Sequence, residues 1–147
     1  MTTLQEAAEI GRRDRGLAVV ATTRADHSIQ SSVVNAGVLR HPVSGEDVLA
    51  FVTYGVNKLR NLRSRPQISV TFRAGWHWAT VEGVAELIGP DDPQPAVSPD
   101  QLRLLLRDIF TAAGGSHDDW DAYDRTMTEQ RRTAVLIAPG RIYSNTS

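Results

Sequence analysis

The stretch Leu17–Tyr54, LAVVATTRADHSIQSSVVNAGVLRHPVSGEDVLAFVTY, decides the fold class. Leu17–Thr23 is apolar and β-branched and reads as a buried strand. Arg24–Ser28 makes a polar turn, and a longer strand follows from Ile29 to about Leu39. A second turn, His41–Glu46, contains Pro42 and Gly45 and leads into a third strand, Val48–Tyr54. Turns this short cannot hold the crossover that a parallel pair needs, so the three strands form an antiparallel meander.

Outward from this stretch the chain alternates helices and strands. Thr3–Asp14 reads as a helix, with Thr3 and Glu6 at capping-box spacing and Leu4, Ala7, Ala8 and Ile10 as its apolar stripe. Asn57–Ser64 is a short helix with Leu59 and Leu62 on one edge and Asn57 as N-cap, stopped by Arg65-Pro66. Strands are expected at Gln67–Arg73 and Trp76–Ile88, then a proline-rich surface linker over Gly89–Pro99. Ser98, Pro99 and Gln101 signal a helix start, followed by Leu102, Leu105, Leu106, Ile109 and Phe110 at helical spacing up to Gly114-Gly115. Ser116 with Asp119 starts another helix, whose face is Trp120, Tyr123 and Met127. A last strand runs over about Thr133–Ile137 and resumes after Pro139 to Tyr143. The expectation is a mainly β, α+β chain: one domain over residues 1–147, six antiparallel strands in a small closed or split barrel, helices at its ends.

Composition narrows the function. The chain has 147 residues, no cysteine and a net charge of −1. Absent cysteine excludes disulfide scaffolds, thiolate zinc sites, iron–sulfur clusters and thiol catalysis. The balanced charge argues against a nucleic-acid partner, and the longest apolar runs, Leu17–Ala21 among them, are too short to span a membrane. A cytoplasmic protein is expected. Of its 16 basic residues, 15 are arginine and one, Lys58, is lysine.

That lysine lies in the most informative segment, Thr53–Arg65, TYGVNKLRNLRSR. A strand runs through a glycine loop into a helix whose first turn holds Asn57 and Lys58. Unbonded amides at a helix start attract anions, and a lysine there adds a full charge. The spacing suits a phosphate or carboxylate site; it equally suits a solvated basic helix. It is not a P-loop, and no GxGxxG follows a strand. Trp76-His77-Trp78 could frame a planar ring, or its tryptophans could fill core or interface. His117, Asp118, Asp119 and Asp121 are better explained by helix capping than by metal binding. No HExxH is present, and Ser31 and Ser32 lack the glycine-flanked nucleophile turn. Glu82 and Glu86 share one strand face, but no catalytic acid or base emerges.

Four segments carry a family resemblance. NKLRNLRSRPQISVTF resembles the K-x-R-N-L-x-x-x-P-x-x-S run of the split-barrel flavin and deazaflavin oxidoreductases, the superfamily that includes pyridoxamine 5′-phosphate oxidase. LAVVATTRADHSIQSS is similar to its opening hairpin, and WHWATVEGVAEL to its Y-x-x-V-E-G-x-A-E-L strand. The tail from Asp118 to Tyr143 looks like that of the actinobacterial deazaflavin-dependent members, which use coenzyme F420.

The resemblance implies an FMN-binding type of split barrel and a homodimer with cofactor sites at the subunit interface. It places Asn57, Lys58, Arg60 and Asn61 at the cofactor phosphate, and Thr53 near it. Gln30, Ser31, Ser32 and Val33 run along the ring, and Trp76 comes from the partner subunit. The implied reaction is hydride transfer between F420 and a small unsaturated organic substrate; FMN is the alternative cofactor. Pyridoxamine phosphate oxidation itself is not expected, because the C-terminal extension and its arginine motif are missing. Relatives often carry arginine where this chain has Val56, the Thr53–Lys58 loop is short, and Val33 stands at a frequently polar place. These departures keep open a third reading, a cofactor- or ligand-binding split barrel without turnover.

Overall fold

The meander expected from Leu17 to Tyr54 forms, and later strands close it into a barrel. The computed structural model describes residues 1–146. In chain order the elements are α1 (Leu4–Arg12), β1 (Leu17–Thr23), β2 (Ile29–Arg40), β3 (Asp47–Thr53), α2 (Val56–Ser64), β4 (Gln67–Ala74), β5 (His77–Ile88), α3 (Pro99–Ala112), α4 (Trp120–Glu129) and β6 (Thr133–Ser144). Every strand pair is antiparallel, and the order β1-β2-β3-β6-β5-β4 closes by pairing β4 with β1. Among the described residues no helix is long and apolar enough to cross a membrane.

Two cores share the sheet. Val20, Leu49, Phe51, Val70, Phe72, Val81 and Ile137 fill the barrel, and α1 adds Leu4, Ala7 and Ile10 to them. The other face of β3 and β6, with Val48, Ala50, Ala134 and Leu136, lies under Leu105, Leu106 and Ile109 of α3 and Tyr123 of α4. Both faces of β3 are therefore covered, which is why its sequence is a continuous apolar run. Each large apolar side chain so buried contributes about 1.5–3 kcal/mol relative to exposure. The α1 and α3 capping boxes form as expected, with Thr3 bonded to Glu6 and Ser98 to Gln101.

Five local expectations are corrected. β1 is buried on one face only: Val19 points outward and is 47% exposed. The N-cap of α2 is Gly55, not Asn57, which is the second residue of the helix. Asp119, not Ser116, caps α4 by accepting from the Ala122 amide at 3.0 Å. Trp76 lies in the β4–β5 turn rather than in β5 and is 92% exposed. β6 runs unbroken through Pro139, because Gly140 bulges out opposite Glu82 and Gly83 and the proline needs no ladder donor there.

Candidate functional site

The start of α2 differs from the other helix starts. Helices α1, α3 and α4 each have a side-chain cap and an acidic residue in the first turn; α2 has neither. Thr53 Oγ1 accepts from the Gly55 amide at 3.1 Å and shapes the turn into the helix. The amides of Val56, Asn57 and Lys58 thus open the helix without a side-chain acceptor, at the positive end of its dipole. Lys58 is 8% exposed, and its Nζ lies 5.6 Å from the centroid of the Phe51 ring. Among the described residues no carboxylate stands within ion-pair distance of it. Burial pushes its pKa below the ordinary lysine value. An ammonium so desolvated and unpaired gains from any anion that reaches it.

The residues picked out from sequence separate into groups. Thr53 and Lys58 are buried together at the α2 start, while Asn57 and Arg60 are exposed on the helix. Asn61 is 6% exposed; its Nδ2 donates to Thr22 Oγ1 at 3.1 Å and to Gln30 Oε1 at 2.9 Å. Asn61 and Gln30 therefore meet each other, pinning α2 to the β1–β2 hairpin. On β2, Gln30 and Ser32 are half-buried, whereas Ser31 and Val33 point outward. Trp76 sits beyond the far end of β4 from α2, on the order of 25 Å of extended chain away. Within one chain it does not join the others.

Sequence reasoning missed Tyr54 and Arg132. The Arg132 guanidinium lies 4.0 Å from the Tyr54 ring centroid, directly beside the turn into α2. The pairing of Thr53 with Thr133 brings them together, and that register is not legible from either segment alone. Glu82 and Glu86 are already engaged: Glu82 accepts from Tyr143 Oη at 2.5 Å, and Glu86 pairs with His41 Nε2 at 2.7 Å. Among the described residues no group of three or more histidines and carboxylates is placed to hold a metal ion.

The outer wall of β1 and its neighbours is a further feature. Val19, Ile29, Val33 and Val84 are exposed there, and Val19 pairs directly with Val33. A shallow cleft of about 500 Å³ runs along this wall past Ala21, Ser69 and Glu82.

Solved structures share this architecture. A conserved hypothetical protein from Mycobacterium tuberculosis aligns at a TM-score of 0.68 with 19% identity, over 98% of this chain and 84% of its own. A protein described as an F420 reductase aligns at 0.57 with 17% identity, over 86% of this chain and 88% of its own. A pyridoxamine 5′-phosphate oxidase-related FMN-binding protein from Nostoc punctiforme aligns at 0.61 with 15% identity, over 98% and 86%. The sequence model of the pyridoxamine 5′-phosphate oxidase family matches residues 4–143. With the six-stranded barrel and its helices in place, the chain belongs to the pyridoxamine 5′-phosphate oxidase family.

Proposed function

We propose that this chain is a cytoplasmic F420-dependent oxidoreductase, working as a homodimer with its cofactor sites at the subunit interface. The observation that carries the reading is Lys58, a desolvated ammonium with no carboxylate partner among the described residues, in the first turn of a helix without a side-chain cap. That donor set fits a phosphate. Lys58 supplies the charge, the Val56 and Asn57 amides supply directed donors, and exposed Arg60 adds a second cation at the rim. The cationic role often filled by arginine at the Val56 position falls to Lys58, with Arg60 at the rim. Gln30–Val33 lie along the neighbouring hairpin, and Asn61 holds that hairpin at a set distance from the helix. When bound, reduced F420 supplies a hydride to an unsaturated organic acceptor. The protein binds, orients and shields; no acid or base of the chain is assigned to the reaction. The exposed valines of the β1–β2 wall support the dimer, since a second copy would remove them from water, as would Trp76 reaching a partner's site.

FMN is the second reading, favoured by the fold shared with the FMN-binding Nostoc protein. Fluorescence titration of the purified protein with F420 and with FMN separates the readings, with Lys58→Ala measured beside the wild type. The expected result is F420 binding that Lys58→Ala weakens by about 1–3 kcal/mol. Preferential FMN binding would transfer the site to flavin chemistry. Binding of neither would remove the redox reading, and unchanged affinity in Lys58→Ala would remove the role of that lysine. Binding without turnover of any conjugated acceptor would leave a cofactor carrier.

A further inference from the structure

Arg132 is set apart from the arginines around it. Arg103 and Arg107 both bond Asp124, and Arg131 bonds Asp91. Arg132 has no carboxylate within ion-pair distance among the described residues; its Nε donates to Gln130 Oε1 at 2.8 Å and its guanidinium rests on Tyr54. Its two terminal nitrogens donate to no acceptor among the described residues and are not sealed from solvent. Partial burial lowers its pKa from the ordinary arginine value, a mark of desolvation.

Arg132 lines a partly enclosed cavity of about 330 Å³ between the outer faces of β2 and β3 and the helices α3 and α4. Phe110, His117 and Tyr123 form one wall, His117 edge to face with the other two rings and Phe110 tilted against Tyr123, with ring centroids 5.2–6.3 Å apart. The Tyr123 hydroxyl is committed to the Leu106 carbonyl at 2.9 Å, and burial pushes its pKa up to about 12, so it stays a neutral part of the wall. Asn35 lines the cavity too; its Nδ2 is used on the Arg15 carbonyl at 2.9 Å, leaving its oxygen as an acceptor. A larger neighbouring cavity of about 460 Å³ shares Arg132 and Met127, but Arg103, Asp124 and Arg131 along it are already paired.

We infer that the smaller cavity binds a planar aryl or conjugated carboxylate, the acid on the terminal nitrogens of Arg132 and the ring against Phe110, His117 and Tyr123. A guanidinium fork matches a carboxylate with two parallel hydrogen bonds. Aromatic edges favour a flat apolar body over a sugar or a bare inorganic ion. The volume stands at the lower end of the roughly 300–1,000 Å³ range of ligand pockets, which suits one ring with a short side chain. The site uses no residue assigned to the cofactor cradle, although Arg132 rests on Tyr54 beside the turn into α2.

The test is calorimetric titration of the purified protein, with no cofactor added, using trans-cinnamate and cinnamyl alcohol. Cinnamate is expected to bind about tenfold or more tightly than the alcohol, and Arg132→Met to abolish that preference. Met127→Trp keeps Arg132 and fills the cavity, so it is expected to abolish both interactions. Thermal melts of each variant show that it is folded; should Arg132→Met fail, Met127→Trp and the ligand pair decide alone. Equal affinity for acid and alcohol, no binding of either, or unchanged cinnamate binding in either folded variant would overturn the inference. So would competition between cinnamate and added FMN or F420, which would merge the cavity with the cofactor site; independent binding of the two supports it.

Discussion

The side-chain amide of Asn61 on α2 donates to the side-chain oxygen of Gln30 on β2 at 2.9 Å, and the same nitrogen reaches Thr22 on β1. One buried residue thus ties the helix that opens the candidate site to the hairpin beside it. Asn61→Leu removes the donor and leaves the buried Thr22 hydroxyl without it. Chemical denaturation is expected to show a loss of about 1–3 kcal/mol. A loss below a few tenths would mean that α2 is held by Leu59 and Leu62 alone.

Lys58 links pH to stability in a defined direction. Its pKa is held below 10.5 by burial, so the folded chain binds this proton less tightly than the unfolded chain does. The group therefore opposes folding at neutral pH, and its penalty fades as pH rises through the folded value toward 10.5. Lys58→Met keeps the length and removes the charge. At neutral pH, in phosphate-free buffer, the methionine variant is expected to melt higher than wild type, with the gap narrowing toward about pH 10. Inorganic phosphate is expected to raise the wild-type midpoint and leave the variant unmoved. A variant that melts lower than wild type at neutral pH would contradict the desolvation argument.

Asp124 behaves in the opposite sense. Arg107 bonds it at 3.0 Å through Nε and at 2.5 Å through Nη2, and Arg103 adds a bond at 3.3 Å. Hydrogen bonding from Arg107, with the charges of both arginines, holds its carboxyl below 3.8. The stabilisation is thus complete above that value and is lost as pH falls through the lowered one. Asp124→Asn is expected to cost about 1–3 kcal/mol at neutral pH by unpairing the two arginines between α3 and α4. The difference from wild type should shrink as melts are taken down to about pH 2. A gap independent of pH would assign the loss to packing.

Gly37 marks where α3 lies against the barrel. A Cβ there would come 2.2 Å from the Ala112 carbonyl oxygen, and backbone at the end of α3 cannot swing aside as a side chain can. Gly37→Ala is expected to cost about 1–3 kcal/mol or more by forcing the helix outward. Gly140→Ala serves as the control. Its Cβ would meet only the Glu82 oxygen at 3.7 Å, an ordinary contact, and a change within about 0.5 kcal/mol is expected. Equal losses in the two variants would show that α3 accommodates the methyl.

What was legible depended on the range of the interaction. Thr3 with Glu6, and Ser98 with Gln101, are partners three residues apart, and both pairs form as their spacing predicts. Asn57 has the right side chain for a cap but enters the helix as its second residue, because the Thr53–Gly55 turn starts α2 earlier. The β1 and β3 runs look equally apolar, yet only β3 has α3 laid over its second face. Val19 is left outside for that reason. Nothing within β1 itself distinguishes the two cases.

The sequence by itself determined the ten elements to within a few residues, the antiparallel meander and the family, because caps, turns and β-branched runs act between near neighbours. It also singled out Lys58 as the one lysine of the chain. Only the tertiary structure decided that β6 enters between β3 and β5 to close the barrel. It likewise decided that Asn61 bonds Gln30, and that Lys58 and Arg132 are desolvated with no carboxylate in ion-pair distance among the described residues while Arg103, Arg107 and Arg131 are paired. The physical reason is that burial and ion pairing depend on every group the fold brings within a few ångströms, and those groups come from segments far apart in the chain.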